Sequence, residues 1–177
     1  MAAQQGLASA SERSAGRSAP WMQSLANGGD LLYVSDNGTG NVYVFLYPSG
    51  VLSGTLTGLG GPVGECVDRA GDVWIGTQTP PEMIEYSHGG TTPIATLNDN
   101  TGVPVGCAVD PTTGNLAVGN SDNVAIYTNA RGNPTYTDSD LGSFTNCTYD
   151  KTGDLFVDGD SSTIIAKLAK VVPSFQT

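Results

Sequence analysis

At 177 residues the chain is long enough for one domain with a real core, and 7 Lys+Arg against 17 Asp+Glu leave it a net charge of −10. That charge argues against a nucleic-acid partner held through phosphates and against an anionic membrane surface. No apolar run approaches the ~18 residues of a membrane-crossing helix. Charged residues are only 14% and Gly takes 24 positions, about twice the usual share, which excludes a coiled coil and a charged disordered chain.

Residues 1–20 are small and polar (MAAQQGLASASERSAGRSAP) and read as a disordered tail without the apolar stretch of an intact signal peptide. From Trp21 the chain repeats itself. GDLLYVSD (29–36) returns as GDVWIGTQ (71–78), GNLAVGNS (114–121) and GDLFVDGD (153–160). Asp30, Asp72, Asn115 and Asp154 in these segments lie 42, 43 and 39 residues apart. A second phrase stands ahead of three of them, as GECVD (64–68), GCAVD (106–110) and NCTYD (146–150). A third follows, as VFLYPSG (44–50), MIEYSHGG (83–90) and VAIYTNARG (124–132), with Tyr47, Tyr86 and Tyr127 at 39 and 41.

Each period of about 41 residues therefore holds four short apolar or β-branched runs bounded by Gly, Asn, Asp and Pro, which are turn residues. Four strands in roughly 40–45 residues is the arithmetic of a β-propeller blade, so the fold expected is all-β. Strand A is the VGCAVD phrase, strand B the LLYV or VWIG run, apolar on both faces, strand C carries the tyrosine, and strand D is the polar outer edge. The D-x-x-G-[DN] stretch makes a tight A–B turn, Asp bonding its own backbone and Gly supplying positive φ. Four blades are expected, at about 21–60, 61–103, 104–144 and 145–177. In the last, TIIAKLA (163–169) fits strand C and VVPSFQT (171–177) fits strand D poorly.

Three cysteines cannot all pair within one chain. Counting back from the closing aspartate, Cys107 and Cys147 stand three before it and Cys66 two before, with Glu65 in the register of the other two. Alternation along a strand makes Cys66 face opposite to Cys107 and Cys147, which disfavours a three-thiol metal site. Inner strands of neighbouring blades are expected to diverge beyond the ~7 Å between Cα atoms that a disulfide needs, so buried free thiols are the expectation. A partner chain or further sequence are the alternatives. The single His88 lies in an HGG turn and reads as a surface turn residue.

These phrases resemble the NHL-type and related six-bladed propellers, whose blades carry strand–D-x-x-G-[DN]-[VL]-[WYF]-[VI]. Here it reads VDRAGDVWI (67–75), VDPTTGNLAV (109–118, one turn residue longer) and YDKTGDLFV (149–157). The chain also looks like bacterial secreted or lipoprotein-like propellers sharing LLYVSD, GECVD, IEYSHGG and GCAVDPTTGNLAV. The resemblance implies the fold, while enzymes, receptors and scaffolds all use such rings. Low Lys and high Gly, Thr and Asn content suit an extracytoplasmic or secreted location. Six blades need roughly 250 residues. Either four blades close a ring, or this is a partial ring whose open faces favour self-association, and the partial ring is the expectation.

On a propeller the B–C and D–A loops share one rim. Asp36, Asn37, Asp122, Asn123, Asp158 and Asp160 gather carboxylates and amides there, with Glu65 and Asn146 at the mouths of strands A. Oxygen ligands of this kind suit Ca²⁺ or another divalent cation, with Glu65, Asp158 and Asp160 the candidate ligands. Asp, Asn and Gly are also simply turn residues, the plainer explanation. Similarity to the gluconolactonase group implies a channel metal held by Glu, Asn and Asp, toward which only Glu65 and Asn146 point. No GxSxG, HExxH or P-loop occurs. The reading favoured is a non-catalytic binding module whose protein, small-molecule or carbohydrate partner sits on the acidic rim. A metal-dependent lactonase-like hydrolase and a truncated propeller without activity of its own are the alternatives.

Overall fold

The computed structural model describes residues 19–139, 144–159 and 165–169. The tail up to residue 18, Asp160 and the VVPSFQT segment lie outside the described residues.

The described residues form four antiparallel sheets in chain order. The first holds β1 (Trp21–Met22), β2 (Leu31–Asp36), β3 (Asn41–Leu46) and β4 (Val51–Thr57), in the order β1-β4-β3-β2. The second runs β5 (Pro62–Val67), β6 (Val73–Gln78), β7 (Pro81–Tyr86), β8 (Pro93–Asn98). The third repeats that order with β9 (Pro104–Val109), β10 (Leu116–Asn120), β11 (Val124–Tyr127) and β12 (Tyr136–Asp138). The fourth shows three strands, β13 (Phe144–Tyr149), β14 (Leu155–Gly159) and β15 (Ile165–Leu168).

The A–B turns form as their sequence requires. Asp68 Oδ1 accepts hydrogen bonds from the Ala70 and Asp72 amides (2.8 and 2.9 Å), and Gly71 takes φ +90°. Asp150 repeats this on Thr152 and Asp154 (2.8 and 3.0 Å) with Gly153 at φ +90°. A side chain other than Gly would be strained at either glycine.

In the second and third sheets strand B is buried on both faces because it is sandwiched between neighbouring sheets. Val73 and Ile75 pack with Val42 and Leu56 of the first sheet, while Trp74 between them packs with Cys107 and Leu116 of the third. Leu116 and Val118 likewise face backward and Ala117 forward, where it meets Leu155 and Val157. Burying each such large apolar side chain contributes about 1.5–3 kcal/mol. Among the described residues no core cluster joins the fourth sheet to the first.

Three expectations need correction. First, Cys66 and Cys107 are disulfide-bonded, their Cα atoms 5.6 Å apart, and Cys147 is a free thiol. The opposite facing of Cys66 and Cys107 is the reason they meet. In neighbouring blades, the forward face of one strand A looks at the backward face of the next, and the inner strands are close enough to be bridged. Second, the first repeat is one residue out of phase. Tyr33, not Leu32, faces the second sheet and is the counterpart of Trp74 and Ala117. In consequence Tyr47 lies beyond β3, 63% exposed, whereas Tyr86 and Tyr127 are buried strand residues. Third, His88 is not a free surface residue: its Nε2 lies 2.9 Å from the Gly29 carbonyl oxygen and its amide donates to Asp72 (3.0 Å), joining the first two sheets.

The first sheet also has a different composition. Its innermost described strand is β2, a strand B, and β1 adds to the outer edge instead.

Candidate functional site

Among the described residues, the strand directions place the B–C turns of the first three sheets and the connections at 58–61 and 99–103 at one end, the end at which β13 starts and β14 finishes. At the first, Asp36 Oδ1 accepts from the Thr39 amide (3.2 Å), and Asn37 Nδ2 donates to Gln78 Oε1 of the second sheet (3.0 Å). Gly40 turns the chain at φ +69°, where a Cβ would come within 2.7 Å of the Leu59 carbonyl oxygen. At the third sheet, exposed Asp122 accepts from Asn123 Nδ2 (3.0 Å). At the fourth, the Asn146 amide donates to Asp158 Oδ1 (2.7 Å), and both residues are exposed. Asp36, Asn37, Asp122, Asn146 and Asp158 therefore lie along one rim.

Glu65 is placed differently. Its backward-facing position turns the carboxylate into the gap between the first two sheets, where Ser35 Oγ donates to it. Burial raises its pKa above the ordinary carboxylate range, opposed by that hydrogen bond. Among the described residues, no three carboxylates that include Glu65 or Asp158 bring ligand atoms within 4.8 Å of one another. The channel metal that the gluconolactonase similarity implies thus does not fit these side chains: Glu65 is spent on Ser35, two sheets away from Asn146.

Sequence reasoning missed three features. At the opposite end, Asp68, Asp72 and Glu85 bring ligand atoms within 4.8 Å of one another. Asp68 and Asp72 are visible as the turn motif, but that Glu85 turns to them follows only from its pairing beside Trp74. Burial raises the Glu85 pKa, helped by the nearby Asp68 and Asp72 charges and opposed by Arg131. The same end opens a cleft of about 520 Å³ between the second and third sheets, lined by Arg69, Glu85, Ile94, Pro111 and Arg131 among others. The third feature is a buried polar network at the top of the third sheet. Asp99 Oδ1 accepts from the Thr101 amide (3.0 Å), Thr101 Oγ1 (2.6 Å) and the Tyr127 hydroxyl (2.7 Å). Asn120 Nδ2 donates to Thr101 Oγ1 and Asn123 Oδ1 (3.0 Å each). Burial and the Asp99 carboxylate push the Tyr127 phenol far above its ordinary pKa.

No protein-family model matches the chain, and no curated protein matches it. Solved structures do. In a crystal structure of a nidogen/laminin complex the matched chain superposes with a TM-score of 0.63 at 18% identity, covering 77% of this chain and 54% of that one. At that identity the likeness shows the fold alone: this is an all-β protein of the β-propeller class. The chain spans about half the length of the propeller it matches.

Proposed function

We propose that this chain is a non-catalytic binding module, built on NHL-type propeller repeats and working outside the cytoplasm, that docks a protein partner on its acidic rim. The observation that carries the reading is the rim itself. Asp36, Asn37 and Asp122 stand at short turns held by hydrogen bonds, and Asn146 and Asp158 on the paired strands β13 and β14, toward one end of adjacent sheets. Such a surface is preorganised and complementary to a basic partner, and the net charge of −10 steers that encounter. The His88 contacts favour binding over catalysis, because its ring nitrogen is used to join two blades. The Cys66–Cys107 disulfide supports an oxidising compartment. The test uses an oligolysine peptide as probe: Asp36→Asn/Asp122→Asn/Asp158→Asn should weaken its binding at least tenfold and flatten the salt dependence. Unchanged binding would remove the rim from the account.

A second reading, that the sheets form a sector of a larger ring, is favoured by the first sheet. Its outward face exposes Trp21 (40%), Leu32 (50%), Val34 (41%) and Leu52 (39%), with Leu32 and Leu52 opposite Phe45, Val34 opposite Tyr43 and Trp21 opposite Thr55. This is the face another blade would cover, and among the described residues no inner strand pairs with the free edge of β2 as β5, β9 and β13 do elsewhere. Self-association through this end is the expected behaviour of the isolated chain. Light scattering coupled to size exclusion should show an oligomer that Leu32→Lys dissociates; a monomer at all concentrations would refute it.

A further inference from the structure

The polar network between the second and third sheets leaves two oxygens unanswered. Asp99 is 4% exposed and Asn120 fully buried, yet Asp99 Oδ2 and Asn120 Oδ1 have no hydrogen-bond partner. Both side chains are tied to one hydroxyl, Thr101 Oγ1, at 2.6 and 3.0 Å, so the two acceptors belong to adjacent groups. Neither atom can donate while the carboxyl is ionised. A third oxygen ligand lies close to the Asn120 side chain: a Cβ on Gly102 would meet Asn120 Cβ at 2.7 Å and Asp122 Oδ1 at 2.9 Å, so both border the same glycine.

We infer that the Asp99–Asn120 pocket, with Asp122 at its mouth, is a binding site for a hard divalent cation of the Ca²⁺ class. Charge decides between a cation and a water. A water could donate to both orphan oxygens, but it would leave a buried carboxylate without a countercharge, the more costly deficit. Among the described residues no Lys, Arg or His pairs with Asp99. Asp99 and Asp122 together carry the two negative charges that a divalent ion neutralises. The available donors are carboxylate and amide oxygens, with no thiol and no imidazole, which is the donor set of Ca²⁺ rather than Zn²⁺. The tight turn at Gly102 brings the Asp99 loop against the β10–β11 turn, so the ion would fasten the rim of the second blade to that of the third. The inference does not rest on the partner-binding reading: Asp122 belongs to both sites, but the buried Asp99 and Asn120, which carry the inference, are not part of the rim surface, so Asp99→Asn tests it separately.

The test uses the full chain, stripped with chelator and then titrated with CaCl₂ by calorimetry, with thermal unfolding followed in parallel. One Ca²⁺ per chain and a midpoint raised by about 5–10 °C at a hundredfold excess over Kd are expected. Tb³⁺ used as a Ca²⁺ substitute should luminesce on tyrosine excitation, because the Tyr127 hydroxyl donates to the Asp99 carboxylate, and Ca²⁺ should quench the signal by displacement. Asp99→Asn should abolish the Ca²⁺ shift while keeping the chelated protein folded, because it removes the uncompensated buried charge and keeps the Oδ1 acceptor that holds Thr101 and Tyr127. Asp122→Asn, at an exposed position that leaves folding intact, should weaken Ca²⁺ at least tenfold. A folded wild-type chain that shows neither a Ca²⁺-dependent shift nor Tb³⁺ luminescence would mean a water-filled pocket and overturn the inference. Binding that survives both substitutions would place the ion elsewhere and overturn it equally.

Discussion

On strand A, the residue three before the closing aspartate faces the preceding blade, and the residue two before faces the following one. Glu65 accordingly meets Ser35, Cys107 lies against the Trp74 carbonyl, and Cys147 donates to the Ala117 carbonyl (3.7 Å). The forward-facing partner for Cys147 is Ala108, the equivalent of Cys66. Ala108→Cys should therefore form a second interblade disulfide, giving a protein with no free thiol by mass spectrometry after alkylation. Two alkylated thiols would contradict the register. Oxidation should need alkaline conditions or a strong oxidant, since burial pushes the Cys147 thiol up to about 12 and little thiolate exists near neutrality. Glu65 makes a prediction of its own. Burial raises its pKa in the fold, so its contribution to stability is full below the unfolded pKa near 4.5 and is lost as pH rises through the folded value. Glu65→Gln should remove that fall, seen as a flatter dependence of urea midpoint on pH above about 4.5.

The elements were legible in the sequence wherever a turn motif and an apolar run coincided. Asp68, Gly71 and Asp72 form the turn that their spacing implies, and β6 is buried on both faces as VWIG suggests. The longer turn at Asp110 keeps the design by recruiting hydroxyls. Its carboxylate accepts from the Thr112 amide and Oγ1 (2.8 Å each) and from Thr113 Oγ1 (2.5 Å). Asp110→Ala should cost about 2–3 kcal/mol by denaturant titration, as the charge-assisted bonds from a buried carboxylate to its exposed turn are lost. The phase of the first repeat was not legible. GDLLYV and GDVWI differ by one residue, and only the neighbour that a side chain packs against shows that Tyr33 matches Trp74. The Asp99 network was invisible for a related reason: Asp99, Asn120 and Tyr127 are separated by 21 and 7 residues, and nothing local marks them as one cluster. Asp36, Asn37 and Asp122 occupy turns, as turn residues do, whereas what Glu65 meets depends on the face of β5 it occupies and on Ser35 of the neighbouring sheet, which no local pattern shows.

For the whole molecule, the central claim is that repeats of one four-stranded unit stand side by side, each strand A presenting alternate faces to its two neighbours. The disulfide expresses this arrangement, closing 41 residues between the second and third sheets. By loop-closure entropy it should contribute about 4 kcal/mol, so Cys66→Ala/Cys107→Ala should lower the melting midpoint by on the order of 10 °C. The apolar end of the first sheet and the mixed far face of the fourth, where Lys167 lies over Phe156 and pairs with Asp154, are unlike surfaces. Contact between copies through these two ends would be head-to-tail rather than two-fold.

The most direct measurement is peptide mapping of the unreduced protein after digestion. The account predicts a single linked pair, joining the peptide of Cys66 to that of Cys107, with Cys147 recovered as a thiol. A linkage involving Cys147, or three free thiols under oxidising conditions, would contradict the stacking of blades from which the rest is built.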